Sequence, residues 1–160
     1  MNALNPKVQV IDGELVRKVL AGARRSPRRR LNCNLHATPE ENPNRFLNAL
    51  LAGTYVAPHR HLEPPKPELF LVLEGRVAVF VFDDAGEVEQ SVVLDAGMGI
   101  DMAPGVWHTI TVPGEHAVVL EVKPGFYDPA TDKQFAPWAP REGEPGAGRY
   151  LEQLLSQVPA

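Results

Sequence analysis

Four side chains in this sequence have the chemistry of transition-metal ligands and a spacing that lets them meet. His59 and His61 are separated by Arg60 alone. On an extended backbone residues i and i+2 project to one face, so both imidazoles can reach a single ion about 2 Å away. Pro58 supports that geometry by restricting the residue before it to extended conformations. Glu68 stands at the entrance to the apolar run Phe-Leu-Val-Leu that begins at Phe70, and His108 follows the Pro104-Gly105 turn. Three imidazole nitrogens and one carboxylate oxygen suit one divalent transition metal (Fe, Mn, Ni, Co or Zn) and leave room for water or substrate.

A metal in such a site needs partners that bind a small molecule and move protons. His36 is the candidate acid–base residue, because an imidazole ordinarily titrates near neutrality. Asn32, Asn34, Arg45 and Asn48 are candidates for binding the hydroxyls or carboxylates of a small-molecule substrate. Lys66, between Pro65 and Pro67, and His116, after a Pro-Gly turn, are expected to face solvent, and Trp107 to serve packing.

The elements that must position these groups are short and mostly extended. Asp12 reads as an N-cap, with Leu15, Val16, Val19 and Leu20 at helical spacing, so a helix is expected from about 12 to 23. Pro27 ends it. Leu31, Cys33 and Leu35 then alternate with Arg30, Asn32, Asn34 and His36, the period of a strand with one polar face. Residues 45–51 read as another strand, 70–82 as two strands hinged near Gly75, and Asp83-Asp84-Ala85-Gly86 as a hairpin turn into 88–94. Gly97, Gly99, Pro104 and Gly105 make a turn-rich stretch before strands at 107–112 and 117–122. The tail 124–148 is aperiodic, but Phe126, Tyr127, Phe135 and Trp138 give it area to bury, so it is expected to pack on the domain. Tyr150, Leu151, Leu154, Leu155 and Val158 predict a terminal helix.

Composition agrees with an all-β chain. Sixteen prolines in 160 residues, about twice the usual ~5%, favour short strands and many turns. The single cysteine, Cys33, allows no intramolecular disulfide and no zinc-finger spacing. The N-terminus shows neither a signal peptide nor a membrane span, so a cytoplasmic protein without membrane contact is expected. A formal charge of −4 opposes nucleic-acid binding. Arg24, Arg25, Arg28, Arg29 and Arg30 form a local basic cluster; it reads first as a solvated helix end and second as a phosphate contact.

Two motifs resemble those of the cupin superfamily. Gly53, His59, His61, Glu68 and Gly75 are similar to the first cupin motif, and Gly97 with Pro104-Gly105-Val106-Trp107-His108 to the second. The resemblance implies a small jelly-roll β-barrel carrying its metal on His59, His61, Glu68 and His108. Six residues separate His61 from Glu68 where the common pattern has three or four, which leaves Glu63 as a rival ligand. Asn34-Leu35-His36, Leu47-Asn48-Ala49-Leu50 and the tail motifs Tyr127-Asp128-Pro129-Ala130-Thr131-Asp132-Lys133 and Phe135-Ala136-Pro137-Trp138 resemble the WbuC-type cupin fold metalloproteins, a family associated with surface-polysaccharide gene clusters. The expectation is one cupin domain over 1–160: a helix at 12–23, a barrel at 30–123 and a packed tail at 124–160. Its function is expected to be metal-dependent chemistry on a small polar metabolite such as a sugar or sugar-nucleotide intermediate of surface-polysaccharide synthesis, with isomerisation or epimerisation as a candidate reaction. Fe(II) dioxygenase chemistry and a non-catalytic metal or ligand-binding module are the alternatives. Exposed strand edges in small barrels predict a homodimer.

Overall fold

The computed structural model describes residues 7–159. Its elements in chain order are α1 (Gly13–Arg25), β1 (Arg30–Asn34), β2 (Asn44–Leu51), β3 (His59–Arg60), β4 (Glu68–Phe82), β5 (Val88–Asp95), β6 (Gly99–Met102), β7 (Trp107–Thr111), β8 (His116–Lys123), β9 (Gln134–Phe135) and α2 (Ala147–Ser156). Asp12 caps α1, its carboxylate accepting from the backbone N–H groups of Glu14 and Leu15 at 3.0 Å. The helix runs two residues beyond the expected end at 23.

The strands curl into two facing halves that share β4. Its first half pairs with β6 and β8, and β8 passes the ladder on to β2 and β1. Its second half pairs with β5 and β7, and β7 continues through β3 to β9. The expected two strands across 70–82 are therefore one, with a register shift between Val72 and Glu74 where the strand changes partners. Gly75 sits at that change with φ +77°, and a Cβ there would run into the backbone of His116 on β8. Only glycine takes that conformation and that approach at low cost. The stretch read as turns between Gly97 and Gly105 contains β6, which pairs with Glu68–Leu71.

Both faces of the curled sheet are covered, which explains unbroken apolar runs such as Val77–Phe82. Outward-facing Leu47, Ala49 and Val118 pack under Val16, Val19, Leu20 and Ala23 of α1. Outward-facing Ala78, Phe80 and Phe82 pack under Ala136, Trp138 and Leu154 of the tail and α2. Phe135 and Trp138 thus pack as expected, whereas Phe126 and Tyr127 lie 59% and 42% exposed. Within the described residues no helix is long and apolar enough to cross a membrane.

The inner face changes character along each strand, and this change makes the site. Leu50, Val72, Ile110 and Val119 close one end of the barrel as an apolar core. Two residues on from the core positions, with the side chains still pointing inward, the same strands present Asn48, Phe70, His108 and Glu121; Glu68 and Lys123 follow one step further. The other end is therefore a polar cavity of about 630 Å³.

Candidate metal centre

His59, His61, Glu68 and His108 are all buried, with one ligand atom from each lying within 4.8 Å of all the others, and His59, Glu68 and His108 line the floor of this cavity. His59 on β3 pairs directly with His108 on β7, and Glu68 opens β4. His61 lies just past β3, where the loop 62–67 turns back: Lys66 and Gly105 both donate backbone N–H bonds to the His61 carbonyl. That loop accounts for the long spacing between His61 and Glu68. Glu63 sits within it, exposed and outside the cluster.

Backbone carbonyls orient all three imidazoles. Nδ1 of His59 meets the Ala57 carbonyl at 2.9 Å, Nδ1 of His108 meets the Val106 carbonyl at 2.9 Å, and Nδ1 of His61 meets the Asp132 carbonyl. A carbonyl only accepts, so each Nδ1 carries a proton and each ring turns its Nε2 toward the centre. Burial holds the His59 pKa well below its ordinary value, which keeps that ring neutral; the neighbouring Lys133 and His108 act in the same direction. The Nε2 atoms of His108 and His61 then stand 3.1 and 3.3 Å from Glu68 Oε2. His61 Nε2 is buried without a hydrogen-bond partner.

Converging acceptors are unfavourable unless a cation lies among them. Burial disfavours ionisation of Glu68, but His108 and His61 bring its pKa well below the usual carboxylate range. Protons on those rings or a metal ion in their place can supply that positive charge. The donor set and its spread fit one divalent transition metal.

The C-terminal tail builds part of this centre. Besides the Asp132 carbonyl on His61, Phe135 of β9 pairs with His59, and Ala136 donates to the Pro58 carbonyl. The Asp132 carboxylate, itself buried, accepts from Lys123 at 2.7 Å and from Lys66 at 3.2 Å. Lys66 is therefore buried, against the expectation of a solvent-facing side chain. Its four-carbon stem runs inward and its ammonium also donates to the Phe126 carbonyl at 2.8 Å. His116 too is less exposed than expected, since its ring is held by Glu74 at 2.8 Å.

The polar face of β1 lines the cavity as read from its alternation: Arg30, Asn32, Asn34 and, just beyond the strand, His36. His36 is buried with Nδ1 against the Arg45 backbone, accepting from its N–H at 3.0 Å. Asn48 lines the cavity, and its amide donates to Glu121 at 2.7 Å. Arg45 does not line it. On β2 it belongs to the outward-facing set with Leu47 and Ala49, and its guanidinium pairs with Glu41 at 2.9 Å. Period-two alternation places Arg45 and Asn48 on opposite faces, which corrects the reading that grouped them.

The basic cluster divides. Arg24 and Arg25 end α1 in solvent, whereas Arg28 and Arg30 both grip Glu142 with two bonds apiece, at 2.7–3.0 Å. Hydrogen bonding from Arg28, and then from Arg30, brings the Glu142 carboxyl down to about 2. That clamp fastens the tail beside the mouth of the cavity.

Glu121, Lys123, Asp132 and Lys133 line the cavity and were missed. For Glu121 and Lys123 a signal was present: both interrupt the inward face of an apolar strand at alternate positions. Burial, then the Glu68 charge, raises the Glu121 carboxyl to about 7. In the metal-free protein the folded chain therefore keeps a proton that the unfolded chain releases above about 4.5, so stability falls as pH rises from there to about 7. The difference corresponds to about 3 kcal/mol. Glu121→Gln removes this component: in urea denaturation the metal-free variant gains on the wild type between pH 4.5 and 8. An equal slope for both proteins contradicts this account of Glu121.

A family model described as a domain of unknown function (DUF6016) matches residues 11–94. No curated protein matches the chain. Among solved structures it is similar to an uncharacterized conserved protein with a double-stranded beta-helix domain from Klebsiella pneumoniae subsp. pneumoniae MGH 78578. The TM-score is 0.59 at 16% identity, over 81% of this chain and 97% of that one. It is also similar to the capsular polysaccharide assembling protein CapF from Staphylococcus aureus, with TM-score 0.52 and 21% identity over 64% of this chain and 28% of that one. A mutant of Bacillus subtilis oxalate decarboxylase OxdC gives 0.51 and 20%, over 59% and 24%. At these identities the likeness concerns the fold alone. It is the double-stranded β-helix, the small cupin jelly roll implied by the sequence motifs.

Proposed function

The chain belongs to the family described as a domain of unknown function (DUF6016), and we propose that it is a metal-dependent cupin acting on a small polar metabolite. The observation that carries this is the set of three Nε2 lone pairs and one carboxylate converging at the floor of a polar cavity. His59, His61, Glu68 and His108 hold the ion. A bound divalent cation supplies Lewis acidity toward a carbonyl or hydroxyl oxygen. Asn32, Asn34 and Asn48 line the route to it and offer amide groups to hydroxyls. Glu121 and His36 are the groups on the walls whose side chains can give and take a proton.

Sugars and sugar nucleotides of surface-polysaccharide synthesis are the substrates this reading favours. It is supported by the WbuC-like motifs around His36 and along the tail, and by the fold likeness to a capsular polysaccharide assembling protein. The test is incubation of the metal-loaded protein with a panel of sugar nucleotides, with oxygen uptake followed in parallel. Turnover that disappears on chelation and returns with metal supports the proposal, and oxygen consumption assigns it to the dioxygenase branch. Saturable binding without turnover across the panel overturns it in favour of a binding module.

A homodimer is part of the proposal. β1 ends the path of paired strands, and Val8, Val10 and Ile11, just ahead of α1, are exposed. Light scattering at micromolar concentration is expected to give twice the chain mass; the mass of one chain contradicts a dimer.

A further inference from the structure

The charges around the cavity are paired, with one exception inside it. Lys123 meets Asp132 at 2.7 Å. Arg28 and Arg30 share Glu142. Glu121 holds the Asn48 amide, and Glu68 lies among the histidines. Lys133 lines both this cavity and the adjoining mouth of about 600 Å³, and it has no hydrogen bond or ion pair with any described residue. The groups that act on it electrostatically are those of the interior: Lys123, Glu68, Glu121 and Asp132. It remains open to solvent through the mouth although protein surrounds it, and that desolvation, with Lys123 next, lowers its pKa. Just outside, Arg141 lies 3.7 Å over the Phe135 ring and lines the same mouth.

Resting on the metal-dependent reading above, we propose that Lys133 anchors an anionic group, a carboxylate or a phosphate, of a ligand whose other end reaches the metal centre. A divalent cation at the floor offsets Glu68, and the ammonium of Lys133 is then the cation lining the cavity that no carboxylate holds. An ammonium with three free donors accepts either anion without a fixed geometry. Arg141, stacked at the mouth, adds a second cation on the entry path. The substrate class narrows accordingly, from polar metabolites in general to those carrying a negative group some distance from the oxygen that meets the metal.

The test uses full-length protein, metal-loaded and metal-free, titrated calorimetrically with malonate, inorganic phosphate and neutral malonamide. Wild type is compared with Lys133→Met and Lys133→Arg, after checking that all three have the same circular dichroism and metal content. The anion that binds is expected to do so about 10-fold more weakly in Lys133→Met, the worth of a charge-assisted bond, with part of the loss restored in Lys133→Arg. Malonamide is expected to be indifferent to both changes. Malonate against phosphate identifies the group recognised. Equal anion affinity in wild type and Lys133→Met, or no anion binding to wild type at all, overturns the proposal. A chain that takes up no metal but loses phosphate affinity on Lys133→Met would sink the metal reading and leave only the anion site at Lys133 standing.

Discussion

A chain carrying both His59→Ala and His108→Ala is expected to lose its divalent metal on dialysis, while the wild type retains about one ion. The two residues face each other across the β3–β7 pair and supply two of the four donors. Removing even an outer-shell partner of a metal ligand costs about 10–100-fold in affinity, so deleting two direct ligands should exceed that range. The remaining pair, His61 and Glu68, offers one nitrogen and one carboxylate, a set no better than many surface pairs. The variant should still fold, because the apolar core at the other end of the barrel contains neither histidine. Circular dichroism checks the fold and elemental analysis the metal; unchanged metal content in a folded double variant rejects the ligand assignment.

The largest effect on stability is expected at Asp132. Its carboxylate is the shared counter-ion of two buried ammonium groups, Lys66 and Lys123, and all three residues are at most 5% exposed. Burial opposes ionisation of the carboxyl, yet Lys123, with His61 and Lys66, more than offsets this and holds its pKa low. Asp132→Ala strands both lysines away from water without a counter-ion, and breaking a buried pair in this way costs about 3–5 kcal/mol. Urea denaturation of the metal-free proteins measures it. Adding Lys66→Met and Lys123→Met to Asp132→Ala should restore most of the loss, since an apolar replacement of a buried ionic triad is often neutral or better. A loss below about 1 kcal/mol in the single variant, or no recovery in the triple one, contradicts the triad.

The barrel was legible because period-two alternation survives wherever one strand face is polar, as from Arg30 to His36. The four donors were legible from residue type together with the glycines and the Pro-Gly turn that fix strand ends. The tail's part in the site was not legible. Asp132 and Lys133 lie in an aperiodic segment, and only the folded chain brings Asp132 beneath His61 and beside Lys66. Lys66 illustrates the same limit: two flanking prolines suggest a surface loop, and its counter-ion lies 66 positions away. Arg45 shows the opposite case, where strict alternation from Asn48 would have placed it outside without a structure.

The central claim is that one metal ion occupies the floor of the barrel. X-ray absorption spectroscopy on protein purified without chelator or affinity tag, joined to elemental analysis, tests it most directly. The expected result is about one divalent transition metal per chain, with a nitrogen and oxygen shell near ~2.1 Å and the outer scattering of three imidazoles. A chain that stays metal-free after exposure to excess Fe, Mn, Ni, Co and Zn, or a bound ion without imidazole scattering, contradicts it.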